Sequence, residues 1–336
     1  MHGVFATAAA PRKRSFTVSK CVLLVWFLAI GSALSVPAAA RTWEVGPGRP
    51  LTGPAQAAAV AKDGDRVVFD PGVYRECAIW AASRLTIEGR QPPSTMSQTI
   101  MTQTFITGPA CADRGLFVFV GNDIAVRGMI FLHARNSFHT GAGILMEGAN
   151  LSVENSQFLD NENGILAGGP ADSVVLIRHD LFRGNGTCLG ACAHALYIGK
   201  RIARLEVVNS TFLDTHVGHH IKSRARTTLV RDSLIEDGPT GTSSYLIELP
   251  DGGNAEIVNN TLHKGAGSEN TEAAISIGTE DAMNPTIALV IRGNRFISDL
   301  PEPVRFVRNL TQTPARLTGN TLTGRVTPLD GPGTVD

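Results

Sequence analysis

No two aspartates are adjacent anywhere in this 336-residue chain. Glycoside hydrolysis that relies on an adjacent aspartate pair within a carboxylate cluster is therefore disfavoured. There is no surplus of positive charge either: 30 Lys and Arg face 30 Asp and Glu. That balance gives no general attraction to nucleic acid. No phosphate-binding loop, dinucleotide fingerprint or serine-triad signature occurs. Beyond residue 40 no apolar run approaches the length of a membrane span. Cysteine is scarce, five residues in all, and Cys21 opens the one long apolar run.

That run sits near the start of the chain. Arg12, Lys13, Arg14 and Lys20 form a positive region, Cys21 to Leu34 is uncharged and apolar, and Ala38-Ala39-Ala40 offers a small-residue cleavage site. Residues 1–40 therefore read as a signal peptide, which implies export to the periplasm or outside the cell. An uncleaved membrane anchor is the alternative. Removing this segment takes away four basic residues and no acidic one, leaving 26 against 30, a formal charge of −4. Cys77, Cys111, Cys188 and Cys192 remain, and an even count in an exported chain permits the pairs Cys77–Cys111 and Cys188–Cys192. Four free buried thiols are the other reading, because spacing alone does not fix bridge geometry.

What the chain has in abundance is a repeat. Alternating apolar residues, a small polar pair and a large apolar residue recur as Ile124–Phe131, Leu151–Phe158, Val175–Phe182, Leu205–Phe212, Thr228–Ile235, Ala255–Leu262, Leu289–Phe296 and Ala315–Leu322. The closing apolar residues are 23 to 34 positions apart. A second short strand falls between successive repeats, with Ile144, Ile165, Leu196, Ile221, Leu246 and Ile275 on its inward side. One such coil is too small to bury its own apolar face, so coils must stack on one another. The expected fold is all-β, a single-stranded right-handed parallel β-helix over residues 41–322. A short alanine-rich helix at 54–62 should cap its open end, and 323–336 is expected to be a loose tail. Asn155, Asn209 and Asn259 share one position before a turn and are expected to form an asparagine ladder.

The stretch Asp63-Gly64-Asp65 through Pro71-Gly72-Val73-Tyr74 resembles the entry to pectin-lyase-like β-helices. Gly141–Leu145, Asp160–Leu166, Val217–Ala225 and Ser244–Gly253 resemble a group of exported bacterial right-handed parallel β-helix repeat proteins. The resemblance covers about residues 43 to 300 and implies the fold. This superfold carries lyases, hydrolases, epimerases and binding proteins, so activity has to be read from side chains.

One strand stands out. By alternation His220, Lys222 and Arg224 point outward while Ile221 and Ser223 point in. Tyr197 should lie beside Lys222 on the coil before, and Tyr245 beside His220 on the coil after. His194 and His219 stand at strand entrances. From His194 to Arg231 there are seven Lys or Arg, Arg226 among them, against Glu206 and Asp214 alone. This local excess of positive charge suits an anion, and on a β-helix groove an acidic polysaccharide is the natural partner. Eliminating a uronate needs a base for the C5 proton and a cation for the carboxylate. Lys222, crowded by Arg224 and His220, is the candidate base. Arg224 is the candidate neutraliser, and Tyr197, Tyr245 or His220 the proton donor. Ile221-Lys222-Ser223 also resembles the Lys-Ser step of the alginate lyase and chondroitinase B-like β-helix lyases. Those families place a catalytic arginine on the following coil, which here reads Tyr245 to Asp251 without one.

His194, His219, Arg226, Glu248 and Asp251 are the candidate substrate-binding residues. Glu248 falls on an inward position beneath Ser223. Either it is buried with a partner such as Lys222 or Arg224, or a bulge turns it outward. A metal site through His216, His219 and His220 is disfavoured because neighbours in a strand face opposite ways. No cofactor is required, although Ca²⁺ is compatible with the chemistry. The rival readings are a C5-epimerase, which shares the proton abstraction, and a non-catalytic glycan-binding β-helix.

Overall fold

The computed structural model describes residues 39–90, 102–280 and 283–336. The expected signal segment lies almost wholly outside them. Among the described residues no helix is long and apolar enough to cross a membrane.

From Ala40 onward the chain winds through three sheets, of twelve, ten and ten strands, in which each strand is flanked by strands from the coil before or after and the pairing is parallel. Each coil contributes one strand to each sheet. The octad repeat is two of these strands joined at a tight bend: Leu151–Glu154 lies in the twelve-stranded sheet and Gln157–Leu159 in the next. The short strands form the third sheet, which carries Leu196–Ile198, Ile221–Ser223 and Ile247–Leu249.

The bend has a single backbone solution. The fifth octad position is Gly128, Asn155, His179, Asn209, Asp232, Asn259, Gly293 and Gly319 in turn, and all eight adopt φ between 49° and 66°. Gly, Asn and Asp tolerate this left-handed conformation best. The asparagines expected to form a ladder thus serve the bend instead. The ladder belongs to the sixth position. There Ser156 N donates to Asp180 Oδ1 (2.7 Å), Asp180 N to Ser210 Oγ (3.2 Å), and Ser210 N to Ser233 Oγ (3.1 Å). Ser233 N donates to Asn260 Oδ1 (3.0 Å), Asn260 N to Asn294 Oδ1 (2.9 Å), and Asn294 N to Asn320 Oδ1 (3.0 Å). Each ladder side chain satisfies the amide of the coil before it, so the bends lose no hydrogen bonds to burial.

The eighth position fills the interior. Phe131, Phe158, Phe182 and Phe212 are buried and stack with centroids 5.2, 4.7 and 4.5 Å apart. The capping helix spans Pro54–Val60, with Pro54 in its first turn and Ala57 packed into the core. Both expected disulfides, Cys77–Cys111 and Cys188–Cys192, are formed. The tail is not loose. Val326–Asp330 pairs with Val304–Asn309, and Gly333–Val335 pairs with Ala315–Thr318, so 323–336 adds a further partial coil. Its strands carry Thr, Pro and Gly and little apolar alternation, so periodicity alone does not reveal them.

Candidate functional site

On the outer face of the short-strand sheet, register places Leu145, Leu166, Tyr197, Lys222, Glu248 and Ser276 in one column. Tyr197 lies beside Lys222 as expected. The following coil is shifted by one residue: Ile247, not Leu246, continues the inward column after Ile221. Leu246 is buried as well, so two consecutive apolar residues turn inward at the coil entrance. This shift brings Glu248 to the outer face beside Lys222. Its Oε2 is 2.9 Å from Lys222 Nζ and 3.0 Å from His219 Nε2, and its Oε1 accepts a bond from Thr279 Oγ1 (2.8 Å). Burial alone would push the Glu248 carboxyl up, but His219 and Lys222 hold it well below the usual carboxylate range.

His220 does not join this face. The strand begins at Ile221, so alternation does not extend back to it, and the ring is buried inside the coil. There its Nε2 is 3.0 Å from Asp237 Oδ1 and its Nδ1 is 2.7 Å from Thr215 Oγ1. Burial raises the Asp237 carboxyl, yet His220 and the Ser243 and Ser268 contacts bring it down to about 2. His220 is thereby removed from the expected proton donors and from the crowd around Lys222. Tyr245 lies against His219 rather than His220, with the rings tilted by 48° at a centroid distance of 5.3 Å.

A ladder of rings runs along the strand entrances. His194 N donates to Asn163 Oδ1 (2.9 Å), His219 N to His194 Nδ1 (3.0 Å), and Tyr245 N to His219 Nδ1 (3.1 Å). The two imidazoles stack at 4.7 Å. Both are buried, and burial lowers both from the ordinary histidine range, His194 most strongly. A neutral ring whose Nδ1 accepts a backbone N–H must carry its proton on Nε2. His194 is therefore a donor toward the cleft, and His219 gives its Nε2–H to Glu248 Oε2, so neither is a base.

Arg224 closes the other side. Its Nε donates to Tyr197 Oη (3.1 Å), its Nη1 bonds Asp251, and its Nη2 meets both oxygens of Glu280 at 2.7 and 2.6 Å. Although burial opposes the charge, these partners raise the guanidinium further above its ordinary value. Lys222 Nζ is also 3.2 Å from Glu280 Oε1, and Lys200 Nζ lies 4.0 Å from Asp251. The expected excess of positive charge is therefore offset. Glu248, Asp251 and Glu280 come from later coils and face the cations directly, so carboxylates, not cations, are the nearest charged neighbours of Lys222. Glu280 was not legible as a site residue. It lies 58 residues from Lys222 in a turn with no strand pattern. Arg226 stands outside the cluster and pairs with Asp172.

Of these groups His194, Tyr197, His219, Lys222 and Arg224 line a cleft of about 350 Å³, together with Asn163. A cleft of similar size on the twelve-stranded sheet is crossed by the Arg66–Glu88 pair and bordered by Arg90 and Arg127, with no comparable set of rings. His216 does not converge with His219 and His220, and among the described residues no group of three His, Cys, Asp or Glu side chains is placed to hold a metal ion.

Comparison with solved structures agrees with this coil geometry. Pectate lyase Pel9A aligns over 87% of this chain and 78% of its own length, with a TM-score of 0.51 and 12% identity. The chain is a right-handed parallel β-helix. The pectin methylesterase of Aspergillus niger aligns over 88% of this chain and 92% of its own, at a TM-score of 0.37 and 13% identity. The Geobacillus virus E2 ORF18 protein aligns over 82% of this chain and 55% of its own, at a TM-score of 0.49 and 12% identity. No family model and no curated protein matches the sequence. The β-helix is thus shared, and the site has to be argued on its own residues.

Proposed function

We propose that this β-helix is an exported, carbohydrate-active protein that cleaves an acidic, uronate-containing polysaccharide by β-elimination at the Lys222 face. The observation that carries the reading is the convergence of Tyr197, Lys222 and Arg224 in one cleft, with Arg224 Nε bonded to Tyr197 Oη. Of the three carboxylates on the cations, Glu248 and Asp251 are buried while the Glu280 side chain is 41% exposed. A substrate carboxylate exchanging with Glu280 would face Arg224 Nη2 and Lys222 Nζ. No net charge would be buried in the exchange, which limits its desolvation cost.

With the carboxylate held there, negative charge developing at C5 is delocalised onto a group already paired with cations. Lys222 Nζ lies between Glu248 and Glu280 in the resting cleft and has to give up a proton to solvent before it can act. As the free amine it takes the C5 proton, the C5–H electron pair forms the C4–C5 double bond, and the C4–O bond breaks. Tyr197 Oη already accepts from Arg224, so its own O–H is available to protonate the leaving oxygen. His194 presents its Nε2–H to a sugar oxygen, while that of His219 holds Glu248 in place. A C5-epimerase would use the same first step and return the proton to C5. The two disulfides are consistent with an oxidising destination.

The ion pairing of Lys222 and Arg224 also fits a second reading, a non-catalytic glycan-binding β-helix. Lys222→Ala separates the two. A catalyst loses turnover and keeps most of its ligand affinity. A binding protein has no turnover to lose, and its affinity weakens with each charge removed and with added salt.

A further inference from the structure

Phe138 is the one phenylalanine among the described residues whose side chain stands in solvent, at 70% exposure. Its loop is not slack. Asp113 Oδ1 accepts from Ser137 N (2.9 Å), and Asn136 Oδ1 accepts from both Phe138 N (3.0 Å) and Thr140 N (2.9 Å). Beneath it the buried Glu162 accepts from Asn136 N (3.0 Å) and Gly141 N (2.6 Å) through Oε2. Five bonds from three side chains thus fix the backbone on both sides of a ring left in water. Leu189, 75% exposed, stands on the small loop closed by the Cys188–Cys192 bridge. The two loops adjoin, since a β-carbon at Gly190 would lie 3.6 Å from the Phe138 carbonyl oxygen.

Both loops lead into the cleft. Thr140, two residues after Phe138, and Ala191 and Cys192, just after Leu189, line its wall. We propose that Phe138, supported by Leu189, is a sugar-stacking subsite at the rim of the Lys222 cleft. Its occupant is a pyranose ring of the same polysaccharide chain whose acidic unit sits against Lys222 and Arg224. The proposal rests on the carbohydrate reading above and extends it to a neighbouring unit. A pyranose has an apolar face of C–H groups, which suits an exposed aromatic ring. A ring already held by its loop loses little conformational freedom on binding. The subsite recognises shape and apolar area, whereas the cleft recognises charge.

The test is calorimetric titration of the wild type, Phe138→Ala and Phe138→Trp with uronate oligomers from dimer to octamer, drawn from alginate, polygalacturonate, polyglucuronate and glycosaminoglycans, and with cello-oligosaccharides of the same lengths. Affinity of the wild type should rise with chain length. Phe138→Ala should lose about tenfold on the octamer, the equivalent of one partly buried aromatic face, while Phe138→Trp retains the gain. An octamer bound as tightly by Phe138→Ala as by the wild type overturns the subsite. Phe138-dependent binding of cello-oligosaccharides alone would leave the subsite standing and remove the uronate reading. No binding of either series by the wild type overturns both.

Discussion

Replacing Asp180 with Asn should make the protein progressively more stable relative to the wild type as pH rises. Asp180 occupies the sixth octad position, where the other ladder residues are Ser and Asn. Its Oδ1 and Oδ2 accept backbone N–H groups from Ser156 (2.7 Å) and Arg178 (3.0 Å). Burial outweighs both bonds and, with some help from Glu154, raises the carboxyl to about 8. In the unfolded chain the same group titrates near its ordinary value of about 3.9. Its folded value is raised, so its contribution is fully present below the unfolded value and is lost as pH rises toward about 8. Between these limits folding takes up one proton, and stability falls by about 1.4 kcal/mol per pH unit. The amide of Asp180→Asn carries no such proton, and Asn is already accommodated at the equivalent positions 260, 294 and 320. The stability difference between Asp180→Asn and the wild type should therefore widen by about 2.7 kcal/mol from about pH 5 to about pH 7. Urea unfolding followed by circular dichroism at a series of pH values measures it, and groups common to both proteins cancel in the difference. A difference that stays constant with pH would refute the reasoning, because it would mean that Asp180 is ionised in the fold.

Other consequences are equally direct. Phe182→Ala removes the ring between Phe158 and Phe212 and should cost about 3–5 kcal/mol in the same unfolding assay. Asn260→Ala leaves Ser233 N and Val230 O without their buried partner and should cost about 2–4 kcal/mol, whereas Asn259→Gly, at a left-handed bend, should be nearly neutral. Reducing Cys77–Cys111, which closes a separation of 34 residues, should lower stability by about 3–4 kcal/mol on chain-entropy grounds. Glu280→Gln weakens the resident competitor on Arg224 and Lys222, so affinity for a uronate oligomer measured by calorimetry should rise. An unchanged or reduced affinity would mean that the ligand carboxylate does not take that place.

The coils were legible because the octad combines a two-residue alternation with a compulsory bend and a large closing residue, and stacking makes each coil repeat these demands. The ladder was misplaced by one residue for a chemical reason. Its column mixes Ser, Asp and Asn, any of which accepts one N–H, while the asparagines at 155, 209 and 259 answer to φ instead. Tyr197, Lys222 and Arg224 were legible as neighbours because alternation and coil spacing set their register. Their counter-charges were not. Glu248 faces out only because Leu246 and Ile247 both turn in, and Glu280 arrives from an irregular turn whose placement no periodicity encodes. His220 shows the same limit from the other side: alternation ends where the strand ends.

The central claim is elimination at the Lys222 face. Its most direct test is ultraviolet absorbance of the unsaturated uronate product while purified protein is mixed with alginate, polygalacturonate, polyglucuronate and glycosaminoglycans, with and without Ca²⁺. The account predicts a steady rise on at least one of these polymers, abolished in Lys222→Ala. A polymer that demonstrably binds in the cleft and yields no rise would contradict it.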